Sequence, residues 1–527
     1  MTGLYTLRRG DAQPVSVIGQ PRRLVHSLLL PWGAAAAITG AAWGVRAVGI
    51  TTDYNIFIDE TTYTRIADNL ATGRGLTLFG SPFDLHPPAG FAMMALAIRV
   101  FSMHGSLAAV LFDLRPFVAL GGALTCALVF ILVGRTTGWR AGLVVATITA
   151  ADPFQIYYDS RVMLEAPAQL ATTGSIVLLA AAIRQQAERR SWALTAAAGV
   201  AAGLALCVKE NYGLVLAGTL ILAIAAGRVI ERKKAALALV IMICCYLLSQ
   251  LLVVLTSGLG PWWDQVGSGA RRLAGVQQTT GFNSATVHVS LTSRLDANVT
   301  HFGITYLILG LGAVAGGCQV IGAVRHWAQW RQPATPGARG ELLVALWATA
   351  AAGYLAYATA FGTLEEQMYY VLFVPALCTL VIGCRRAAPR LGRYWRQIAA
   401  AIAVVVVLAD GAVWASVHSA RDDEYRQLLS WAPRHLPNGT TVAVTEDTAQ
   451  FLLQGVKLGQ WGTVPALIAH HVDYVLLSTA LVAQGYGIGT PQFERYLEAH
   501  AKVVWEATGP SSGALILFDV RPITGAR

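Results

Sequence analysis

Long apolar stretches separated by short polar segments dominate the chain. Most of these stretches are close to the roughly 20 residues that an α-helix needs to cross a bilayer. This pattern predicts about eleven membrane-spanning helices, near residues 24–50, 115–134, 141–158, 166–184, 192–208, 213–227, 235–256, 302–323, 341–361, 368–384 and 397–417. A further apolar run, 88–101, follows two prolines, is short and contains Arg99. We therefore expect it to lie along the outer membrane surface as an interfacial helix.

The positions of the basic residues predict which side of the membrane each polar segment faces. If residues 88–101 do not cross the membrane, the basic N-terminus and five Arg- and Lys-bearing loops all lie inside, as the positive-inside rule requires. The outer side then carries a long first loop, a tight turn, a polar loop and a C-terminal segment, at residues 51–114, 159–165, 257–301 and 418–527.

The C-terminal segment has the pattern of a small α/β domain. Short apolar runs bounded by turn residues predict buried strands at 441–444, 474–477 and 514–518. Amphipathic spacing predicts helices at 424–431 and 492–500. We therefore expect two domains: a transmembrane catalytic domain over residues 1–417 and an extracytoplasmic α/β domain over residues 418–527.

Composition agrees with a polytopic membrane protein. Hydrophobic residues make up 55% of the chain and charged residues only 13%, whereas soluble proteins carry about a quarter charged residues. The net charge of +10 reflects the inner loops, so we expect no nucleic-acid partner. The seven cysteines lack metal-ligand or redox spacing. The sequence therefore predicts no metal site and no certain cofactor, although a divalent cation is compatible with it.

The first outer loop holds the most informative polar residues. Asp59 and Glu60 begin an amphipathic segment, where they are either helix-capping acids or a general base that faces an acceptor hydroxyl. His86 precedes Pro87 and Pro88, which restrict its backbone. These prolines either end one element before the next or hold His86 against a phosphate or a substrate hydroxyl.

Other candidates lie at the outer ends of later spans. Glu165 is either an ordinary helix start or a second active-site acid. Lys209 lies outside, against the charge trend, and either forms an ion pair with Glu210 or neutralises a phosphate. Tyr369 and Tyr370, which follow two acids and Gln367, either line a sugar pocket or belong to an interfacial aromatic belt.

These residues, in this order and topology, resemble the GT-C class of integral membrane glycosyltransferases. The similarity is to the protein O-mannosyltransferase-like group and to the related aminoarabinose transferases that modify lipid A. Asp59-Glu60 is similar to the acidic pair of the first outer loop in this class. Residues 83–88, Phe-Asp-Leu-His-Pro-Pro, are similar to the mannosyltransferase turn of a hydrophobe, Asp, a hydrophobe, His and two prolines.

The resemblance continues into the following spans. Arg115 looks like the arginine that opens the next span of these enzymes. Glu165 stands where relatives usually have Asp, and Lys209 resembles their Thr-Lys-Gly lysine, with Glu210 in place of the glycine. The resemblance covers residues 50–215 well and the chain to about residue 385 loosely, and it does not reach the C-terminal domain.

The resemblance implies an inverting glycosyltransferase with a polyprenyl-phosphate-linked sugar donor. Asp59 would deprotonate the acceptor hydroxyl, with Glu60 and Glu165 as further catalytic acids. Lys209 and His86 would stabilise the departing lipid phosphate, with Arg115, Tyr369 and Tyr370 as further substrate-binding candidates.

The expected acceptor is a lipid, a glycan or a protein. The expected setting is a bacterial inner membrane with an outward-facing site, so the lipid bilayer is itself a partner. Two alternatives remain. A transporter or flippase for lipid-linked sugars predicts ionisable residues in mid-span, where Asp410 is the main example. A non-catalytic scaffold or receptor would leave the Asp59-Glu60 and His86 segments unexplained.

Overall fold

The computed structural model describes residues 21–278, 290–325, 335–388, 392 and 394–526. The described chain before residue 420 is almost entirely helical, and its first helices are α1 Pro21–Ala47, α2 Ile58–Ala71, α3 Ala89–Val100, α4 Leu107–Thr136, α5 Trp139–Ala151, α6 Pro153–Asp159, α7 Glu165–Arg184 and α8 Glu188–Val208. The helices that follow are α9 Glu210–Ala226, α10 Arg232–Ser257, α11 Leu259–Leu273, α12 Leu291–Phe302, α13 Thr305–Arg325, α14 Pro336–Ala360, α15 Tyr370–Ala387 and α16 Trp395–Ser419. A short 3-10 helix, Glu366–Tyr369, leads into α15.

Eight described segments are long and apolar enough to cross a membrane. They are Leu107–Thr136, Glu165–Arg184, Glu188–Val208, Arg232–Ser257, Thr305–Arg325, Pro336–Ala360, Glu366–Ala387 and Trp395–His435. The other three predicted runs coincide with α1, with α5 and α6 together, and with α9. The polytopic helical fold is therefore confirmed, and the number of eleven spans stays a prediction.

Residues 88–101 form the short apolar helix α3. One face of α3 buries Phe91, Met94 and Ile98 in the core that also contains Tyr63 of α2. Its other face exposes apolar side chains that include Leu96. A 12-residue helix is shorter than the roughly 20 residues of a span, which agrees with an interfacial position without testing it.

The C-terminal segment folds around a five-stranded sheet. Its strands are β3 Thr441–Val444, β4 Lys457–Gly459, β5 Tyr474–Ser478, β6 Lys502–Gly509 and β7 Gly513–Asp519, in the order β4-β3-β5-β7-β6. The pairs β3–β4 and β3–β5 are parallel, whereas β7 is antiparallel to both β5 and β6. The short strands β1 Thr77–Leu78 and β2 Ser81–Pro82 form a separate hairpin in the first loop.

Helices cover this C-terminal sheet. They are α17 Glu424–His435, α18 Thr448–Leu452, α19 Val464–Ala469, α20 Thr479–Gln484, α21 Pro491–His500 and α22 Arg521–Thr524. Leu467 and Leu497 from two of these helices pack on Val475, Leu477 and Phe518 of the sheet in one buried cluster. The three predicted strands and two predicted helices correspond to β3, β5, β7, α17 and α21. The pattern did not predict β4 and β6, which form the two edges of the sheet.

Candidate active site

Glu60 lies in the first turn of α2, where it is completely buried. Arg115 donates to both of its carboxylate oxygens, from Nε to Oε1 at 3.0 Å and from Nη2 to Oε2 at 2.8 Å. The backbone N–H groups of Val162 and Phe57 donate to the same carboxylate at 2.7 and 3.2 Å. Glu60 therefore fixes the start of α2 to α4 and to the turn between α6 and α7.

Arg115, on α4, is also completely buried. Its guanidinium group donates to the carbonyl oxygens of Ile50, Tyr54 and Asn55 at 2.6, 2.9 and 3.3 Å, in addition to Glu60. A guanidinium has five N–H donors, and these bonds use all five. Arg115 thus holds the loop that leads into α2, and its N–H groups are already engaged.

Asp59, the residue before Glu60, is half-buried and belongs to a second cluster. Burial raises the pKa of its carboxyl group to about 6; the acids Glu365 and Glu165 add to the rise, and the positive charges of Lys209 and His86 oppose it. A carboxyl group with a pKa near neutral is suited to accept a proton from a hydroxyl group at physiological pH.

Lys209 lies between α8 and α9, where the chain is extended for one residue with φ of −153° and ψ of 123°. This break turns the lysine side chain inward, where it is buried. Its ammonium group forms an ion pair with Glu165 and donates to Oε1 of Gln367 at 3.3 Å. The ion-pair partner is therefore Glu165 and not the neighbouring Glu210 that the sequence offered.

Glu165 is the first residue of α7 and is completely buried. A carboxylate is favourable at this end of a helix because the first N–H groups give it a partial positive charge. The ordinary helix start and the pairing with Lys209 are therefore both observed. The pair joins α7 to the α8–α9 break beside Asp59.

His86 reaches the same cluster from the first loop. Its Nε2 lies 3.4 Å from the Tyr63 hydroxyl, and its Nδ1 lies 3.7 Å from Oε2 of Glu210. Tyr63 is four residues after Asp59 on α2, so both side chains lie on one face of the helix. The structure thus brings together Asp59, His86, Glu165 and Lys209, which come from four separate parts of the sequence.

Tyr369 and Tyr370 have contacts of other kinds. The Tyr370 hydroxyl donates to Oδ1 of the buried Asp159, which also pairs with Arg46 at 2.7 Å. The Tyr369 ring packs on Tyr306 with 5.3 Å between ring centroids. Tyr370 therefore belongs to a buried polar cluster between helices, whereas Tyr369 is partly exposed.

Three residues near the cluster were not among the main sequence candidates. Gln367 accepts from Lys209 and also donates to Oε2 of Glu365 at 2.7 Å. Arg272, at the end of α11, lies 3.1 Å from Oε1 of Glu365. The sequence places Arg272 in the polar loop 257–301 and Glu365 and Gln367 just before the span at 368–384. Their approach to Lys209 depends on how the helices pack.

His, Cys, Asp and Glu side chains are the usual protein ligands of metal ions. Within the residues that the structure describes, no three of them are arranged to hold a metal ion.

Residues 85–250 match the sequence model of a family described as dolichyl-phosphate-mannose-protein mannosyltransferase. The match includes His86, Arg115, Glu165 and Lys209, and it begins after Asp59. No curated protein matches the chain in sequence.

Solved structures share the fold over almost the whole chain. ArnT from Cupriavidus metallidurans, bound to undecaprenyl phosphate, has 14% identity and a TM-score of 0.54, with 95% of this chain and 100% of ArnT covered. The archaeal oligosaccharyltransferase AglB from Archaeoglobus fulgidus, in complex with an inhibitory peptide and a dolichol-phosphate, has 13% identity and a TM-score of 0.58, with 92% of this chain and 74% of AglB covered. The chain therefore has the fold of these two membrane proteins over more than nine-tenths of its length, and residues 85–250 match the mannosyltransferase family model.

Proposed function

We propose that this protein transfers a sugar from a polyprenyl-phosphate-linked donor to an acceptor hydroxyl, with inversion at the anomeric carbon. The observation that carries this proposal is the cluster in which Asp59, with a pKa of about 6, lies among Lys209, Glu165 and His86. The site thus combines a carboxylate suited to take a proton with cations suited to a phosphate. The structures of ArnT and AglB, which hold undecaprenyl phosphate and a dolichol-phosphate, support the class of donor.

The proposed reaction is a single displacement. The acceptor oxygen attacks the anomeric carbon, its proton passes to the carboxylate of Asp59, and the electron pair of the breaking C–O bond leaves with the lipid phosphate. The ammonium group of Lys209 opposes the negative charge that develops on the phosphate. Such an electrostatic contribution is large in a site from which water is excluded.

Glu165 has a second role in this proposal. Before the donor binds, its carboxylate neutralises the buried Lys209, which removes the cost of an unpaired buried charge. When the phosphate binds, it competes with Glu165 for the same ammonium group. His86 adds a further N–H donor to the phosphate.

Glu60 and Arg115 are proposed as positioning residues and not as groups that touch substrate. All N–H groups of Arg115 and both oxygens of Glu60 have protein partners. We propose Tyr369 as a contact for the sugar or the acceptor, and a structural role for Tyr370 because its hydroxyl is bonded to Asp159. The proposed setting is the outer face of a bacterial inner membrane, with residues 1–417 and 418–527 as separate domains.

The experiment places the purified protein in liposomes with a panel of polyprenyl-phosphate sugars that carry a label in the sugar. Extracted native membranes supply lipid, glycan and protein acceptors. We expect label in an acceptor and one released polyprenyl phosphate for each sugar transferred, and we expect both to form about 10²–10⁴-fold more slowly with the Asp59→Asn variant.

A flippase for lipid-linked sugars gives a different result. It would move intact label across the bilayer without releasing polyprenyl phosphate. That outcome, or the absence of transfer from every donor of the panel, would contradict the proposed reaction.

A further inference from the structure

The C-terminal segment holds the loop that leads into α2 through hydrogen bonds. Asn55 in this loop is buried, and its Nδ2 donates to Oγ of Ser512 at 2.7 Å. Its Oδ1 accepts from the backbone N–H of Tyr425 at 3.2 Å and from that of Ile56 at 3.0 Å. Both polar atoms of the Asn55 side chain are therefore engaged, and two of these three bonds come from residues after 420.

Asp422 holds the same loop through its backbone. The Asp422 carboxylate accepts from the N–H of Asn55 at 3.2 Å, and its own N–H donates to the carbonyl oxygen of Thr52 at 3.1 Å. Ser511 donates to this carboxylate from its N–H at 2.9 Å and from its hydroxyl at 2.6 Å. Asp422 thus joins the loop before α2 to the turn between β6 and β7.

Asp422 also contacts the second segment that holds Glu60. Its Oδ2 lies 3.9 Å from Nη2 of Arg161, which is buried against the ring of Tyr157 at 4.0 Å from the ring centroid. The residue after Arg161 is Val162, whose N–H donates to Glu60. On the other side, Arg115 bonds both Asn55 and Glu60. The two chain segments that surround Glu60 therefore meet at Asp422.

We propose that Asp422, Asn55 and Ser512 are positioning residues for the transfer reaction, so that the C-terminal segment is part of the catalytic unit. This rests on the proposed function, because the group that they position is Asp59, the residue before Glu60. Their action passes through Glu60 and the backbone of the loop to the start of α2. None of the three touches the Asp59 cluster through the contacts described.

The physical basis is the directionality of a buried hydrogen-bond network. Removal of one partner leaves other buried donors or acceptors unpaired, so the loop moves to satisfy them. A displacement of about 1 Å between reacting groups can cost about 100-fold in rate. Lys209 and its partner Glu165 make none of the hydrogen bonds described for Asp422, Asn55 and Ser512, so binding of undecaprenyl phosphate should be much less affected than turnover.

The test compares two junction variants with a control from the same domain. Asp422→Ala removes the link between the loop and the β6–β7 turn, and Ser512→Ala removes only the bond to Asn55. Asp473→Ala is the control, because Asp473 accepts from the N–H of Thr441 at 2.8 Å within the C-terminal sheet. The full-length protein is used throughout, with turnover, affinity for undecaprenyl phosphate, melting temperature and amide exchange of residues 50–60 measured on each variant.

We expect turnover to fall about 10- to 100-fold in Asp422→Ala and by a smaller factor in Ser512→Ala, with undecaprenyl phosphate affinity within about twofold. Amide exchange of residues 50–60 should accelerate in both, because their bonds open more often. Asp473→Ala should lower the melting temperature without these effects.

Two results would overturn the proposal. One is unchanged exchange and turnover in both junction variants. The other is an equal loss of turnover in Asp473→Ala at a matched loss of melting temperature, which would assign the effect to domain stability alone. If the wild-type protein transfers no sugar, the proposed function fails, while the exchange comparison still decides whether Asp422 holds the loop.

Discussion

At the scale of single residues, the carboxyl group of Asp59 determines the pH dependence of the proposed reaction. Its pKa is raised to about 6, mainly by burial, so the basic form that accepts a proton is the minor form below pH 6. We expect kcat/KM to fall about tenfold per pH unit below pH 6 and to level off above it, because one proton inactivates the base. A pH–rate profile of the wild-type protein measures this directly.

The Asp59→Asn variant tests the same assignment. Turnover should fall by about 10²–10⁴-fold, the usual contribution of a general base. The residual kcat/KM should no longer decrease below pH 6. Asp68→Asn is the matched control, since Asp68 is an acid on the same helix that pairs at the surface with Arg74 at 2.9 Å. Near-normal turnover in Asp59→Asn would remove Asp59 as the base and leave Glu165 as the next candidate.

Substitutions in the ion pair of Lys209 and Glu165 distinguish a phosphate-binding role of Lys209 from a purely structural one. We expect Lys209→Ala to weaken binding of undecaprenyl phosphate strongly, because the phosphate loses its buried cation. Lys209→Arg should restore only part of the affinity, since a planar guanidinium differs from a compact ammonium group. Glu165→Gln should leave the affinity unchanged or raise it, because the lysine loses its competing partner.

The phosphate-binding role and the structural role of this pair predict different changes in melting temperature and in affinity for undecaprenyl phosphate. A purely structural bridge would lower the melting temperature in Lys209→Ala and in Glu165→Gln alike, since each leaves a buried charge unpaired. It would leave undecaprenyl phosphate binding unchanged in both. That pattern would remove Lys209 from the donor site, whereas opposite effects on affinity would support the phosphate assignment.

The sequence identified Lys209 and Glu165 as candidates, but it could not identify them as partners. Their charges at the outer ends of spans were visible because such positions are costly for ions. The pairing depends on α7 packing beside the break between α8 and α9, which no local pattern encodes. Tyr370 illustrates the same limit, since its hydroxyl reaches Asp159 through helix packing.

At the scale of elements, α2 is anchored by the pair of Glu60 and Arg115. Both side chains are completely buried, and loss of one member of such a pair typically costs about 3–5 kcal/mol. We expect Arg115→Met to lower the melting temperature markedly. Arg74→Met is the control, because Arg74 is 55% exposed beside Asp68 of the same helix, and an exposed pair contributes about 0–1 kcal/mol. Thermal unfolding in detergent compares the two, and similar shifts would argue against the anchoring role.

The apolar pattern predicted elements best where apolar residues follow one another without interruption. All eleven apolar runs overlap helices, and the three central strands of the C-terminal sheet lie within a residue or two of their predicted bounds. The two strands that were not predicted, β4 and β6, are short or carry charged residues. β4 spans three residues, and β6 carries Lys502 and Glu506 on an edge of the sheet, so neither has the apolar run that marks a buried strand.

At the scale of the whole molecule, the orientation of the chain depends on α3. If α3 lies along the surface, Asp59, Glu165 and Lys209 all face outward, and the basic loops face inward. If α3 crosses the membrane, every segment after it changes side, and Asp59 is separated from Lys209 by the bilayer. The cluster that these residues form in the structure therefore supports the surface position of α3, which stays a prediction.

Reporter fusions at three positions test this topology. With α3 on the surface, a fusion after Gly105, between α3 and α4, should report the outside, one after Arg140 the inside, and one after Asn438 the outside. With α3 across the membrane and the N-terminus inside, the same three fusions should report inside, outside and inside. The Gly105 fusion is the sharpest of the three, because only α3 separates it from residues 51–88 of the first outer loop. An inside signal there would contradict both the surface position of α3 and the outward-facing active site.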